Sequence, residues 1–362
     1  MEPIAPRLRE PLRAALRGER ASWPEDLSDG ETHALIVHGI APLVYASTPV
    51  PQLRTEAIRA ATLEALRIAD LHRVLDTLGS ANVDALVLKG SALAYDLYAT
   101  PELRPRGDTD LLIAIDAIER TRAAFFALGF EEQPDSGDEH GTRQTAFIRA
   151  DRSGIVHIYD VHWSVTNTPL FASALQFDAL LARSIALPVL GSHARGLCDV
   201  DALLLACIHR VAHHHDSDRI IWLVDIALLR DRMTRDDHAR FWRAAAEARI
   251  VGACVRSIEL TNEWMSRPDV FRAEEFLSAD EIARDEASRA FLDRDITHGG
   301  VMLANLRALP WRARIERMWQ IAFPPASFMR STFGARSNLA LPWLYVVRGA
   351  RGVARLFRRV GV

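Results

Sequence analysis

The chain has 362 residues, 49% of them hydrophobic and 25% charged, the balance of a folded chain long enough for two or three cores. That composition excludes collagen-like, long disordered and low-complexity architectures. The net charge of −3 hides a gradient: residues 301–362 hold eleven Arg against the single acid Glu316, a balance of +10, and the first 300 residues carry −13.

A basic tail favours phosphate-bearing partners or an anionic membrane surface. No run reaches the roughly 20 apolar residues of a bilayer span; the longest, Leu339 to Val347, contains Pro342. Met1 to Arg13 lacks the apolar segment of a secretory signal, so a cytoplasmic location is expected. Cys198, Cys207 and Cys254 are odd in number and have no close pairing, which reads as core thiols rather than disulfides or a metal site. Of 44 basic residues 43 are Arg, and Lys89 is the only lysine.

In chain order, Thr55 to Leu78 places Ile58, Ala61, Ala65, Ile68, Leu71, Leu75 and Leu78 at steps of three and four, which predicts a helix stopped by Gly79-Ser80. Ala85 to Leu88 reads as a short buried strand, Gly90-Ser91 as a turn, and Ala92 to Tyr98 as a helix ended by Thr100-Pro101. After a loop from Glu102 to Gly107, Asp108 to Ile115 reads as a strand and Ile118 to Leu128 as a helix closed by Gly129. Gln144 to Ala150 and Ile155 to Val165 are two further strands around a turn at Asp151 to Gly154. This β-α-β-α-β-β order predicts a small mixed sheet within an α+β chain. Helical patterning returns at Ala202 to Val211, Ile220 to Leu229, Asp237 to Ala248 and Ala253 to Met265. The expected organisation is a helical region over 1–80, the α/β unit over 81–167 and a helical domain with a basic tail over 168–362.

Asp108 and Asp110 stand two residues apart on a predicted strand, so both carboxylates leave one face. Two acids so close repel unless a cation sits between them, and Mg²⁺ suits oxygen ligands while leaving room for substrate phosphates. Asp160 and His162 share one face of the later strand, and if the two strands are neighbours Asp160 completes an acidic triad. His162 is read either as touching substrate or as orienting that carboxylate. Lys89-Gly90-Ser91 falls at a strand-to-helix junction, where free N–H groups make an anion site. A lone lysine in an arginine-rich chain suggests a need for a compact ammonium there. Arg104 and Arg106, just before the acids, are candidate phosphate clamps, or else solvated loop arginines.

A Gly-Ser turn after a strand, then a helix, then Asp-x-Asp on the next strand and a third Asp on a later one resembles the nucleotidyltransferase superfamily related to DNA polymerase β. Leu88 to Tyr98, Arg104 to Leu112 and Tyr159 to Trp163 look more narrowly like the bacterial "uncharacterised nucleotidyltransferase" family. His209 to His213, Arg219 to Ile226 and Phe323 to Tyr345 are similar to that family's helical portion. The resemblance implies a nucleotidyltransferase core flanked by N-terminal and C-terminal helical regions. It further implies that Gly90 and Ser91 hold the phosphates of a nucleoside triphosphate such as ATP, and that Asp108, Asp110 and Asp160 bind two Mg²⁺ ions, with Mn²⁺ as a substitute. Asp160 would also activate the acceptor. Sixteen residues separate Ser91 from Asp108, longer than is usual in the superfamily, and Thr109 replaces the common apolar residue between the acids.

The expected reaction moves a nucleotidyl group to a hydroxyl or phosphate of a small molecule, peptide or protein, releasing pyrophosphate. An acidic body with few aromatic residues does not favour general nucleic-acid binding. A catalytically silent nucleotide-binding module on the same fold is the alternative. His209, His213, His214 and His215 raise a zinc reading through i, i+4 spacing, against one in which they line the substrate cleft or pack at the α/β boundary with Asp225 orienting a neighbour. In the tail, Val353, Leu356, Phe357 and Val360 share a helical face among Arg348, Arg351, Arg355, Arg358 and Arg359. That is either a docked helix with a solvated rim or a contact for anionic lipid or a negatively charged partner.

Overall fold

A computed structural model describes every residue except 1, 20, 134–142, 153, 173, 215, 269, 285, 294–295, 325, 335–337 and 357–362. Four helices come first: α1 (Pro6–Leu16), α2 (Asp29–Val37), α3 (Ala41–Ser47) and α4 (Arg54–Ser80). Ser28 caps α2 by accepting from the Glu31 N–H, and Glu31 returns the bond to the Ser28 backbone, so two open amides at this helix start are satisfied. Of the stripe read along α4, Leu71, Leu75 and Leu78 are buried, whereas Ile58, Ala61 and Ala65 in its first half are exposed.

The sheet follows: β1 (Ala85–Val87), helix α5 (Lys89–Asp96), β2 (Thr109–Ile113), helix α6 (Ile118–Ala127), β3 (Glu131–Glu132), β4 (Gln144–Ala150) and β5 (Val156–His162). After the short helices α7 (Pro169–Ala172) and α8 (Phe177–Arg183), β6 (Ile185–Ala186) and β7 (Arg195–Gly196) rejoin it. Among the described residues this gives a mixed sheet of seven strands in the order β3-β4-β5-β2-β1-β7-β6. The β2–β5 and β1–β7 pairs are parallel and the others antiparallel.

The rest is helical. α9 (Asp199–Ile208) runs on into a π-helical turn (His209–His213), then α10 (Ile220–Arg232), α11 (Arg235–Glu247) and α12 (Val251–Met265). α13 (Ala279–Ala283), α14 (His298–Ala308), α15 (Trp311–Ala322), α16 (Ala326–Phe333) and α17 (Leu341–Leu356) complete the chain. Among the described residues no helix is long and apolar enough to cross a membrane.

Alternation along the strands divides the core. Ala85, Val87, Leu111, Ile113, Tyr159 and Val161 face α4 and α6, whereas Leu86 and Leu112 face the layer that includes α9, α11 and α12. Asp110, Asp160 and His162 have the parity of Leu112, so they open toward the C-terminal helices.

The chain is α+β, with helices flanking one mixed sheet. The boundary expected at residue 167 does not mark the edge of the sheet, because β7 pairs with β1 through Leu86 opposite Arg195 and Val87 opposite Gly196. Within residues 1–80, α1 and α3 share a core with α10 and the end of α12, while α4 packs on the sheet. Gly90 and Ser91, read as a turn, form the first turn of α5, and β2 begins one residue after Asp108. The apolar face expected on Val353, Leu356, Phe357 and Val360 lies outside the described side chains.

Candidate active site

The parallel β2–β5 pair places Asp110 opposite Asp160 and Leu112 opposite His162. Asp110, Asp160 and His162 each offer a ligand atom within 4.8 Å of the other two. His162 Nε2 donates to Asp110 Oδ1 at 2.8 Å, and Lys89 Nζ donates to the same oxygen at 2.7 Å. Lys89 holds this position with φ at +50°, a backbone region that non-glycine residues seldom adopt, at the junction of β1 and α5.

The charges are unevenly shared. Burial opposes ionisation of Asp110, but the Lys89 ammonium and His162 outweigh it and hold its pKa well below the usual carboxylate range. Asp160 lacks that ammonium partner; burial first, then the charges of Asp108 and Asp110, push its pKa up. Asp108 is exposed at the mouth, yet the protein packed around its carboxyl and the nearby Asp110 raise its pKa too. Three carboxylates crowded in this way, two with raised pKa values, suit a divalent cation. Asp110 and Asp160, with His162 beside them, are the residues that fit a metal. Asp108 stands outside the close trio, and His162 takes the third place in it.

A scan of protein families matches residues 31–266 to one described as "uncharacterised nucleotidyltransferase". The match covers more than half of the chain and every residue of the carboxylate site. The chain belongs to this family. By membership it is a nucleotidyltransferase, a transferase. A comparison with curated proteins gives no match.

Around the carboxylates, the nucleotidyltransferase uses its arginines differently from the phosphate clamps expected. Arg104 is buried, its side chain 7% exposed, and grips Asp225 of α10 through Nε and Nη2 at 2.7 to 3.0 Å. The Tyr98 hydroxyl donates to the same carboxylate at 2.6 Å. Arg106 pairs with Glu64 of α4 at 2.7 Å, stacking over Tyr95, whose hydroxyl also donates to Glu64. Both guanidiniums lie where water cannot solvate them, each paired with a fixed carboxylate. The Ser91 hydroxyl likewise points inward, donating to the Asp108 carbonyl at 3.3 Å and tying α5 to the start of β2. Gly90 lies against Arg104: a Cβ there would stand 3.1 Å from Nη1.

His209 and His213 bound the π-helical turn, and His214 follows it. His209 and His214 lie against Trp222 with ring centres 5.3 and 4.2 Å away. His213 Nε2 shares a 2.8 Å hydrogen bond with the Thr166 hydroxyl. Burial and the Lys89 charge push the His209 pKa far down and that of His213 to about 3, so both rings are neutral at pH 7. His215 lies outside the described residues, and among the described ones His209, His213 and His214 do not join the close carboxylate trio. Asp225 does orient a neighbour, but that neighbour is Arg104. Glu64 is the contributor the sequence reading left out. Its signal was an acid three residues after Ala61 and four before Ile68, on the apolar stripe of α4.

Proposed function

We propose that the protein transfers a nucleoside monophosphate from a nucleoside triphosphate to a hydroxyl or phosphate of an acceptor, releasing pyrophosphate, with Mg²⁺ as the ion. The observation that carries this reading is the register placing Asp110 beside Asp160 on parallel neighbours, with the N-terminus of α5 adjacent. Phosphoryl-type transfer asks a protein mainly for positioning and charge neutralisation. The first amides of α5, at Gly90 and Ser91, would donate to triphosphate oxygens. Lys89 and His162 keep Asp110 ionised. Asp160 takes the proton of the acceptor group as the acceptor oxygen bonds to the α-phosphorus and the bond to pyrophosphate breaks. Bound Mg²⁺, held by Asp110 and Asp160 with Asp108 at the mouth, would polarise the acceptor oxygen and neutralise the departing pyrophosphate.

One observation favours the silent module instead: the Lys89 ammonium already satisfies Asp110 Oδ1 at 2.7 Å. Pyrophosphate release is the deciding measurement, with ATP, GTP, CTP and UTP over a panel of hydroxylated metabolites, peptides and proteins. Asp110→Asn and Asp160→Asn serve as controls, with nucleotide titrations with and without Mg²⁺ alongside. Release lost in both variants supports the transferase; nucleotide binding indifferent to Mg²⁺, with no release from any pair, supports the silent module.

A further inference from the structure

α15 turns its apolar face outward. Trp311, Ile315, Met318 and Trp319 are 65%, 59%, 55% and 65% exposed, and Phe323 just past the helix is 51% exposed. These positions follow the i, i+4, i+7, i+8 spacing of a single helical stripe, which in a folded domain normally faces the core. α17 docks beside it through Tyr345, whose hydroxyl donates to the Pro324 carbonyl at 2.6 Å, and Arg348, which donates to the Ile321 carbonyl at 2.7 Å. Trp343 and Val346 of α17 are themselves exposed, at 68% and 61%.

Cations border this surface. At about 100° per residue, Arg312 falls on one flank of the α15 stripe, its guanidinium 5.3 Å from the Trp311 ring centre, while Arg314 on the other flank turns back to the Arg307 and Leu309 carbonyls at 3.2 and 3.1 Å. The whole segment 301–362 carries +10. A second copy of the chain would oppose like charge to like charge across such a contact. Tryptophans exposed beside arginines, on a helix too short to span, match the interface between anionic headgroups and acyl chains.

We propose that the exposed face of α15 seats on an anionic phospholipid surface, with Trp311 and Trp319 at headgroup depth and Arg312 against the phosphates. The face lies outside the segment matched to the family, 31–266, and the proposal stands apart from the transferase reading.

The test uses the full chain and flotation with vesicles of phosphatidylcholine, alone or mixed with phosphatidylglycerol. Association with the mixed vesicles only, weakened by salt, is expected, together with a drop of about tenfold or more in Trp311→Ser/Trp319→Ser and in Arg312→Glu. All three positions are exposed, and matching circular dichroism melts establish that the variants fold. Absence from phosphatidylglycerol vesicles overturns the proposal. So does flotation unchanged in the tryptophan variant. A dimer in sedimentation velocity that Trp319→Ser dissociates, with no flotation, would assign the face to a second copy instead.

Discussion

Replacing Asp225 tests the joint between sheet and helices most directly. In Asp225→Ala, Arg104 loses all three bonds to the carboxylate, at 2.7, 2.9 and 3.0 Å, and keeps only its Nη1 bond to the Pro105 carbonyl at 3.0 Å. The Tyr98 hydroxyl loses its 2.6 Å acceptor as well. Both partners are buried, with side-chain exposures of 7% and 4%, so water does not replace what is removed. Breaking such a pair costs about 3–5 kcal/mol, because an uncompensated charge stays inside, and the stranded hydroxyl pushes the loss toward the upper end. Arg104→Met/Asp225→Leu removes both charges and should recover about 2 kcal/mol or more of that loss. Urea unfolding followed by fluorescence and circular dichroism measures the cycle through the midpoint and slope. A loss below about 1 kcal/mol in Asp225→Ala, or a double variant that loses the sum of the singles, would refute the reasoning.

Three further outcomes are expected. Mg²⁺ or Mn²⁺ should raise the melting temperature, with about 2.7 kcal/mol of stabilisation at a hundredfold excess over Kd; an equal rise in Asp110→Asn or Asp160→Asn would remove these carboxylates as ligands. Gly90→Ala should cost about 1 kcal/mol net, because a new Cβ 3.1 Å from an Arg104 nitrogen fixed by Asp225 overrides alanine's helix preference; thermal melts showing stabilisation would mean Arg104 yields freely. His213 titrates near 3 when folded against 6.5 for an unperturbed histidine, so its contribution is full above pH 6.5 and is lost as pH falls toward 3. Melts across that window should show up to about 1.4 kcal/mol per pH unit from this group, and His213→Gln should flatten the slope; an unaltered slope excludes it.

The central strands and the carboxylate face were legible because each depends on a local pattern. The apolar runs at Ala85 to Leu88 and Leu111 to Ile115 and the two-residue spacing of Asp108, Asp110, Asp160 and His162 carry period and parity. Strand adjacency was posed as a condition, and the β2–β5 register meets it. Two-residue strands such as β6 and β7 leave no periodic trace, so the width of the sheet was hidden. The arginines were misjudged because a loop arginine looks the same in sequence whether it faces solvent or a buried acid 121 positions away. Similarly, which of three nearby acids stands apart depends on where β2 starts: Asp108 precedes its first residue, and His162, one strand over, fills the nearer place.

The pairing of β1 with β7 has a consequence for biosynthesis. Until residue 196 has left the ribosome, the Leu86–Val87 edge has hydrogen-bonding groups with no parallel partner, although β1, β2 and β5 have already been made. A nascent chain halted before that point would display a hydrophobic edge open to another polypeptide. Fragments ending near residue 167 should therefore aggregate on expression, whereas those reaching past Gly196 have the strand that covers the edge.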